Sequence, residues 1–175
     1  MGWKKIKDCY QIGHFVQVTE KGICIGTSYV HDLCVINVMT GAIRENETFK
    51  GFVSKNYPAL LDAAPDELLK LINTPDSFTQ SLVVYTYIGA QIIEKQCEEY
   101  GWPNVTHDGQ MMYENIFFKQ RGDAIEKAIE NAQYSIEHHK ERLGTLEEDL
   151  KIVRKRLEES SNNLNKLQAM RVNPL

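Results

Sequence analysis

The chain has 175 residues, of which 42% are hydrophobic, and its formal net charge is −4. This length predicts one ordinary domain, or a small domain with an extension, and the apolar fraction is sufficient for a folded core. No apolar run approaches the roughly 18–20 residues that span a bilayer, so no transmembrane helix is expected. The acidic balance argues against a dedicated nucleic-acid binder, because phosphate contacts require a basic excess.

The beginning of the sequence is basic, with Lys4, Lys5 and Lys7, but no apolar segment follows it. We therefore expect no secretory signal and a cytoplasmic protein. The four cysteines form no CxxC pair and have apolar or aromatic neighbours. Reduced, mostly buried thiols are predicted.

Short apolar runs separated by turn residues characterise the first part of the chain, residues 1–57. The runs lie at 15–18, 23–30, 33–38 and 42–44, and a last one at 49–53. Four or five short strands with a turn about every 8–12 residues are typical of an antiparallel barrel. The sequence therefore predicts a small, strongly bent β-barrel over this region.

One stretch of this region resembles a known module. Residues 13–18 (GHFVQV), followed by Gly22, Gly26 and Val30, resemble the opening of KOW and other SH3-like barrels, which use alternating valines and two glycines at a hairpin. The resemblance covers residues 13–30 and implies an SH3-like barrel. Because KOW modules often bind RNA, ribosomes or RNA polymerase, it also implies an association with nucleic acid, although the segment lacks the usual basic residues.

Residues 58–120 are predicted to be a helical segment that packs on the first unit and carries an aromatic loop and strand. Pro65-Asp66-Glu67 is typical of the first turn of a helix, and Thr74 is a predicted N-cap for the next one. Apolar residues at helical spacing then predict one buried helix over 78–100. This prediction stands against the strand-forming residues of 83–88 (VVYTYI).

Large side chains gather beside turn residues at 100–103 (YGWP) and 111–118 (MMYENIFF). They can cap the core, or they can form a surface for a partner, since Trp, Tyr and Met are over-represented at binding hot spots. The residues predicted to contact a partner are Trp102, Tyr113, Phe117 and Phe118.

Residues 121–170 are predicted to form a long coiled-coil helix. A heptad period continues from Ile125 without interruption, which is the pattern of a self-associating helix. The a positions are Ile129, Ile136, Leu143, Leu150, Leu157 and Leu164, and the d positions are Ile125, Ala132, His139, Leu146, Val153, Ser160 and Leu167. The large aliphatic residues from Ile129 to Leu167 are the predicted oligomerisation surface.

The charges that flank this stripe favour a parallel dimer. In that arrangement Arg142 faces Glu147 of the second copy, and Asp149 faces Arg154, so both pairs have opposite sign. A trimer, an antiparallel pair and a helix folded back on its own chain are alternatives.

His139 and Ser160 are the polar d positions. They are either tolerated, or they set the register and the oligomeric state.

No catalytic or metal-binding motif is present. There is no Gly-rich phosphate loop, GxSxG or HExxH. Adjacent His138 and His139 point to different faces of a helix, and the pairs His31-Asp32 and His107-Asp108 lie in predicted turns. No cofactor or metal is expected, and Cys24 and Cys34 match no zinc module.

These patterns predict a non-enzymatic, oligomeric binding or adaptor protein that acts on a macromolecular partner. Compact proteins of this type include accessory and inhibitory proteins of viruses and mobile elements. One alternative is an RNA- or DNA-associated regulator that uses the barrel and Lys4, Lys5 and Lys7. The other is a small-molecule binder or enzyme with a site between the barrel and the aromatic loops.

Overall fold

The computed structural model describes residues 1–172 and shows an α+β chain with antiparallel sheets and a long C-terminal helix. It divides into two compact units, Met1–Ala128 and a second that begins at Ile129. None of the helices in the described part of the chain combines the length and the apolarity that crossing a membrane requires. The helices are α1 (Trp3–Cys9), α2 (Phe52–Asn56), α3 (Pro58–Leu61), α4 (Pro65–Asn73) and α5 (Arg121–Val172), and the strands are β1 (Phe15–Thr19), β2 (Gly22–Gly26), β3 (Cys34–Ile36), β4 (Ile43–Glu45), β5 (Leu82–Ile88), β6 (Gln91–Cys97), β7 (Asn104–Val105) and β8 (Met111–Met112).

The first four strands form one antiparallel sheet in the order β1-β2-β3-β4. A strand occurs in each of the first four predicted runs, although the second strand ends at Gly26. Gly22 turns the chain between β1 and β2 with a φ of 127°. A Cβ at this position would collide with the carbonyl oxygen of Ile36, so the turn requires glycine.

No closed barrel is found among the described residues. The sheet is open, with β1 and β4 at its edges, and the fifth strand predicted at 49–53 is absent. This region is a short 3-10 helix, Glu47–Phe49, followed by α2. The Glu45 carboxylate accepts hydrogen bonds from the backbone amides of Gly51 (3.0 Å) and Val53 (2.5 Å). Because these two amides donate to Glu45 at the start of a helical turn, they are not available to pair with a neighbouring strand.

The prediction of a helix over 78–100 is wrong. Strands β5 and β6 form an antiparallel hairpin there, in which Leu82 pairs with Cys97 and Ile88 pairs with Gln91. Gly89 has a φ of 58° and begins a two-residue turn, the connection that suits the twist of a hairpin. The β-branched and aromatic residues of 83–88 therefore determine the local structure, and the helical spacing is incidental.

Helix α4 begins at Pro65, as the Pro-Asp-Glu signal predicts. Thr74 is the C-cap of this helix and not the N-cap of another, and its hydroxyl donates to the carbonyl of Lys70 at 2.7 Å. No helix lies between α4 and β5. Helix α1 was not predicted. It buries Trp3 and Ile6 and packs near α4.

Two apolar cores lie within the first unit. The larger includes buried side chains of α1, β1–β3 and α2–α4. The smaller, which joins the hairpin to the segment before α5, contains Val84, Cys97, Met112 and Phe117.

Helix α5 confirms the predicted long C-terminal helix. It has 52 residues, which at a rise of 1.5 Å per residue corresponds to a length of about 78 Å.

Candidate functional site

The apolar stripe of α5 is the main candidate site. The helix is continuous through all the heptads, so its a and d positions recur along one face. The large aliphatic side chains of this stripe from Ile129 to Leu167 are between 49% (Leu150) and 66% (Leu157) exposed. We call this surface the seam. Its aliphatic members are Ile129, Ile136, Leu143, Leu146, Leu150, Val153, Leu157, Leu164 and Leu167, and its polar d positions are His139 and Ser160.

Polar groups of α5 lie both in and beside the seam. His139 is in it, and its ring lies 5.8 Å from the ring of His138. The ion pair between Lys155 and Glu159 (4.0 Å) lies on the surface away from the seam. Ile152 is an exposed aliphatic residue outside the seam, at a c position, and is 51% exposed. This residue supplies a matched control for any change at Leu150.

The four aromatic residues predicted to contact a partner lie in different surroundings. Phe117 is only 1% exposed and belongs to the smaller core, with Trp102 packed against it. Tyr113 packs on the larger core. The backbone of Phe118 pairs with Tyr85. Phe117 in particular has no surface to offer to a partner in this structure.

Tyr113 has a specific polar environment. Its hydroxyl donates to the carbonyl of Ser28 at 3.1 Å and lies 2.7 Å from Nε2 of His31. Burial raises the pKa of the Tyr113 phenol. The contacts fasten the loop between β2 and β3 to the segment after β8, which is a structural role for His31.

A cleft of about 380 Å³ lies beside α1, lined in part by Trp3, Lys4, Phe78, Glu98 and His107. Two of its charged groups, Lys4 and Glu98, are paired with each other. The Glu98 carboxylate lies 3.1 Å from the Lys4 ammonium, and it accepts hydrogen bonds from the Thr79 amide (2.8 Å) and hydroxyl (3.0 Å). Burial alone would raise the pKa of Glu98, but these partners lower it below its usual range.

The pairing of Lys4 bears on the nucleic-acid alternative. Lys4 contacts both Asp8 (3.8 Å) and Glu98, so one of the three N-terminal lysines is neutralised within the fold. The other two lysines, Lys5 and Lys7, are two positions apart on α1, so their side chains do not share one face of the helix. Two separate charges are few for a phosphate backbone.

His107 forms one wall of the cleft as a packed aromatic ring. It stacks on Phe78 with ring centroids 3.7 Å apart and an angle of 5° between the planes. Its carbonyl accepts a hydrogen bond from the Trp3 indole at 3.0 Å. Burial lowers the pKa of His107, with Glu98 among the groups that oppose the shift. The cluster joins residues 104 positions apart, so no sequence signal could have identified it.

The described residues contain no group of three or more His, Cys, Asp or Glu side chains placed to hold a metal ion. Cys24 and Cys34 are buried in the first sheet. Burial raises the pKa of the Cys34 thiol to about 12, so it is a poor nucleophile at neutral pH.

Comparison of the chain with protein-family models, with curated proteins and with solved structures finds no match.

Proposed function

We propose that this protein is a non-enzymatic, oligomeric binding or adaptor protein that self-associates through α5 and acts on a macromolecular partner. The observation that carries the proposal is the seam, a heptad stripe of nine large, exposed aliphatic residues on a continuous 52-residue helix.

The energetics of a long helix favour a partner for the seam. Most helical stability in proteins comes from packing of an apolar face, because helix propensity alone is marginal in water. Each large aliphatic side chain contributes roughly 1.5–3 kcal/mol when it is fully buried. The seam residues are 49–66% exposed in the single chain, so about half of this stabilisation is still available to association.

The flanking charges support a second copy of the chain as the occupant. In a parallel pair, Arg142 meets Glu147 of the copy and Asp149 meets Arg154, and no pair of like sign arises at the equivalent flanking positions. Each exposed pair contributes only about 0–1 kcal/mol, but the pattern selects partners by excluding repulsion. Self-association would also present two copies of the N-terminal unit, which increases avidity for a partner that has repeated sites.

Light scattering coupled to size-exclusion chromatography tests the assembly. We expect the wild type to have at least twice the 20.1 kDa mass of one chain. The Leu143→Asp/Leu150→Asp variant should be monomeric, because it places charges in the centre of the seam.

The matched control is Thr145→Asp/Ile152→Asp. It introduces the same charges two residues further along the helix, at c positions outside the seam, and should keep the wild-type mass. A wild type that is monomeric at tens of micromolar would contradict self-association and would favour a helix folded back on its own chain.

The class of partner requires a separate measurement. Wild type and the Leu143→Asp/Leu150→Asp variant should be used as paired baits in the native cell extract, followed by mass spectrometry of proteins and small molecules. A protein retained by the wild type and lost by the variant supports the adaptor function. Recovery of nucleic acid alone would instead favour an RNA- or DNA-associated regulator, and recovery of a small molecule alone would favour a small-molecule binder or enzyme.

A further inference from the structure

We infer that two polar layers, His139 and Ser160, fix α5 as a parallel, in-register pair with a second copy of the chain. This inference rests on the proposed self-association and specifies its geometry. The two residues are the polar members of the d positions and lie three heptads apart on the continuous helix.

The polar d positions determine the relative direction of the two helices. Reversing one helix exchanges the order of a and d along the common axis, so every d residue then faces an a residue of the copy. All six a positions are aliphatic. In any antiparallel pair, His139 and Ser160 would therefore each face an aliphatic side chain, and the imidazole of His139 would have no polar partner across the seam.

The same two residues determine the register of the pair. In a parallel pair without a shift, each d residue faces the equivalent d residue of the second chain. His139 therefore faces His139, and Ser160 faces Ser160. A shift of one heptad would place His139 against Ala132 or Leu146, and Ser160 against Val153 or Leu167. Only the unshifted pair matches both polar layers over the full length of the seam.

The chemistry of the matched layers is favourable. A neutral imidazole has one donor and one acceptor nitrogen, and a hydroxyl both donates and accepts. Each layer can therefore form a hydrogen bond with its own copy and satisfy groups that would otherwise be buried unpaired. A polar residue in the seam of a coiled coil is a known means of specifying register, at some loss of stability.

The flanking charges agree with this register. Both opposite-sign pairs, Arg142 with Glu147 and Asp149 with Arg154, lie between the two polar layers and form only in the unshifted parallel arrangement. The polar layers and the flanking charges thus favour the same register.

Cysteine cross-linking tests the geometry. Ser160→Cys should be made in a Cys9→Ser background, because Cys9 is exposed and Cys24, Cys34 and Cys97 are buried. Under mild oxidation, we expect most of the protein to run as a disulfide-linked dimer on a non-reducing gel. The control is Ser161→Cys in the same background, an adjacent serine at an e position, which should cross-link at least ten-fold less.

A dimeric mass in solution with equal cross-linking of Ser160→Cys and Ser161→Cys would overturn the parallel register and leave self-association intact. Efficient cross-linking in a mixture of Ile129→Cys and Ser160→Cys chains, without cross-linking of either alone, would show an antiparallel pair. A monomeric mass would overturn both proposals.

A second reporter tests the role of the polar layers themselves. In Val153→Cys, a d position between the layers, cross-linking should be efficient. Adding His139→Leu and Ser160→Leu should keep the dimeric mass and reduce this cross-linking several-fold, because shifted and reversed pairs become available. Unchanged cross-linking would show that other contacts fix the register.

Discussion

The two compact units of this chain use the same aliphatic residues in opposite ways. In Met1–Ala128, Ile25 and Leu68 are fully buried within the chain, whereas Leu150 and Leu157 of α5 are 49% and 66% exposed. The first unit has the long-range pairings that create an interior, and a single helix has none. The first unit is therefore stabilised by its own core, and the stability of α5 is expected to depend on what covers the seam.

Two probes can follow the regions separately. Both tryptophans, Trp3 and Trp102, lie in the first unit, so their fluorescence reports on that unit. Far-UV circular dichroism is dominated by α5, since it is by far the longest helix among the described residues. The contrast between the units can thus be measured in one protein.

The largest expected effect is the removal of a core side chain from the first unit. Phe117→Ala should lower its free energy of unfolding by about 3–5 kcal/mol, because it leaves a cavity in the smaller core. Urea unfolding followed by tryptophan fluorescence measures this, and the loss should not depend on protein concentration.

The matched change in the seam is Leu150→Ala. It should leave the urea midpoint measured by fluorescence unchanged and lower the urea midpoint measured by circular dichroism. In both the wild type and this variant, the circular dichroism midpoint should rise with protein concentration, because association stabilises α5. If both substitutions shifted both transitions together, the two units would unfold as one, and the contrast between them would be broken.

Glycine-to-alanine substitutions should change stability by a smaller amount, and with opposite signs in the two units. Gly109 has a φ of 88°, and a Cβ there would collide with the side chain of Val18, so Gly109→Ala should destabilise the first unit by more than about 1 kcal/mol. A Cβ on Gly144 of α5 would meet open space, so Gly144→Ala should stabilise the helix by roughly 0.5–1 kcal/mol.

Thermal unfolding by the two probes checks the signs. Gly109→Ala should lower the fluorescence midpoint, and Gly144→Ala should raise the circular dichroism midpoint. A loss of stability in Gly144→Ala would mean that the outer face of α5 is in contact with another chain.

The smallest expected effect is a pH dependence confined to the first unit. Burial lowers the pKa of His107 in the folded state, so the unfolded chain binds the proton more readily. The contribution of His107 is therefore complete above about pH 6.5, the ordinary value for histidine, and is lost as the pH falls toward the folded pKa.

His107→Phe keeps an aromatic ring against Phe78 and removes the titration. The urea midpoint from tryptophan fluorescence should decline less between about pH 7.5 and 5.5 in this variant than in the wild type. An equal decline in both proteins would assign the pH dependence to other groups.

Elements with strong local signals were predicted correctly from the sequence. Strands β1–β4 follow apolar runs bounded by turn residues, and α4 begins where Pro65 and two acidic residues favour a first turn. The prediction of a helix over 78–100 was wrong because the spacing of the apolar residues there fits both the helical period of about 3.6 and the strand period of 2. The pairing of Tyr85 with Phe118 and the shared core of Val84 and Phe117 support the strand there. These contacts join residues that are more than thirty positions apart.

The sequence by itself determined the long C-terminal helix and the placement of the seam on it, because a heptad stripe depends only on helical periodicity and neighbouring turns. Only the tertiary structure decided that the first sheet is open, that residues 82–97 form a hairpin, and that Phe117 is buried. It also brought Trp3 to His107 and Lys4 to Glu98. These outcomes depend on which distant segments pair with each other, and a local sequence pattern does not determine the free energy of such pairings.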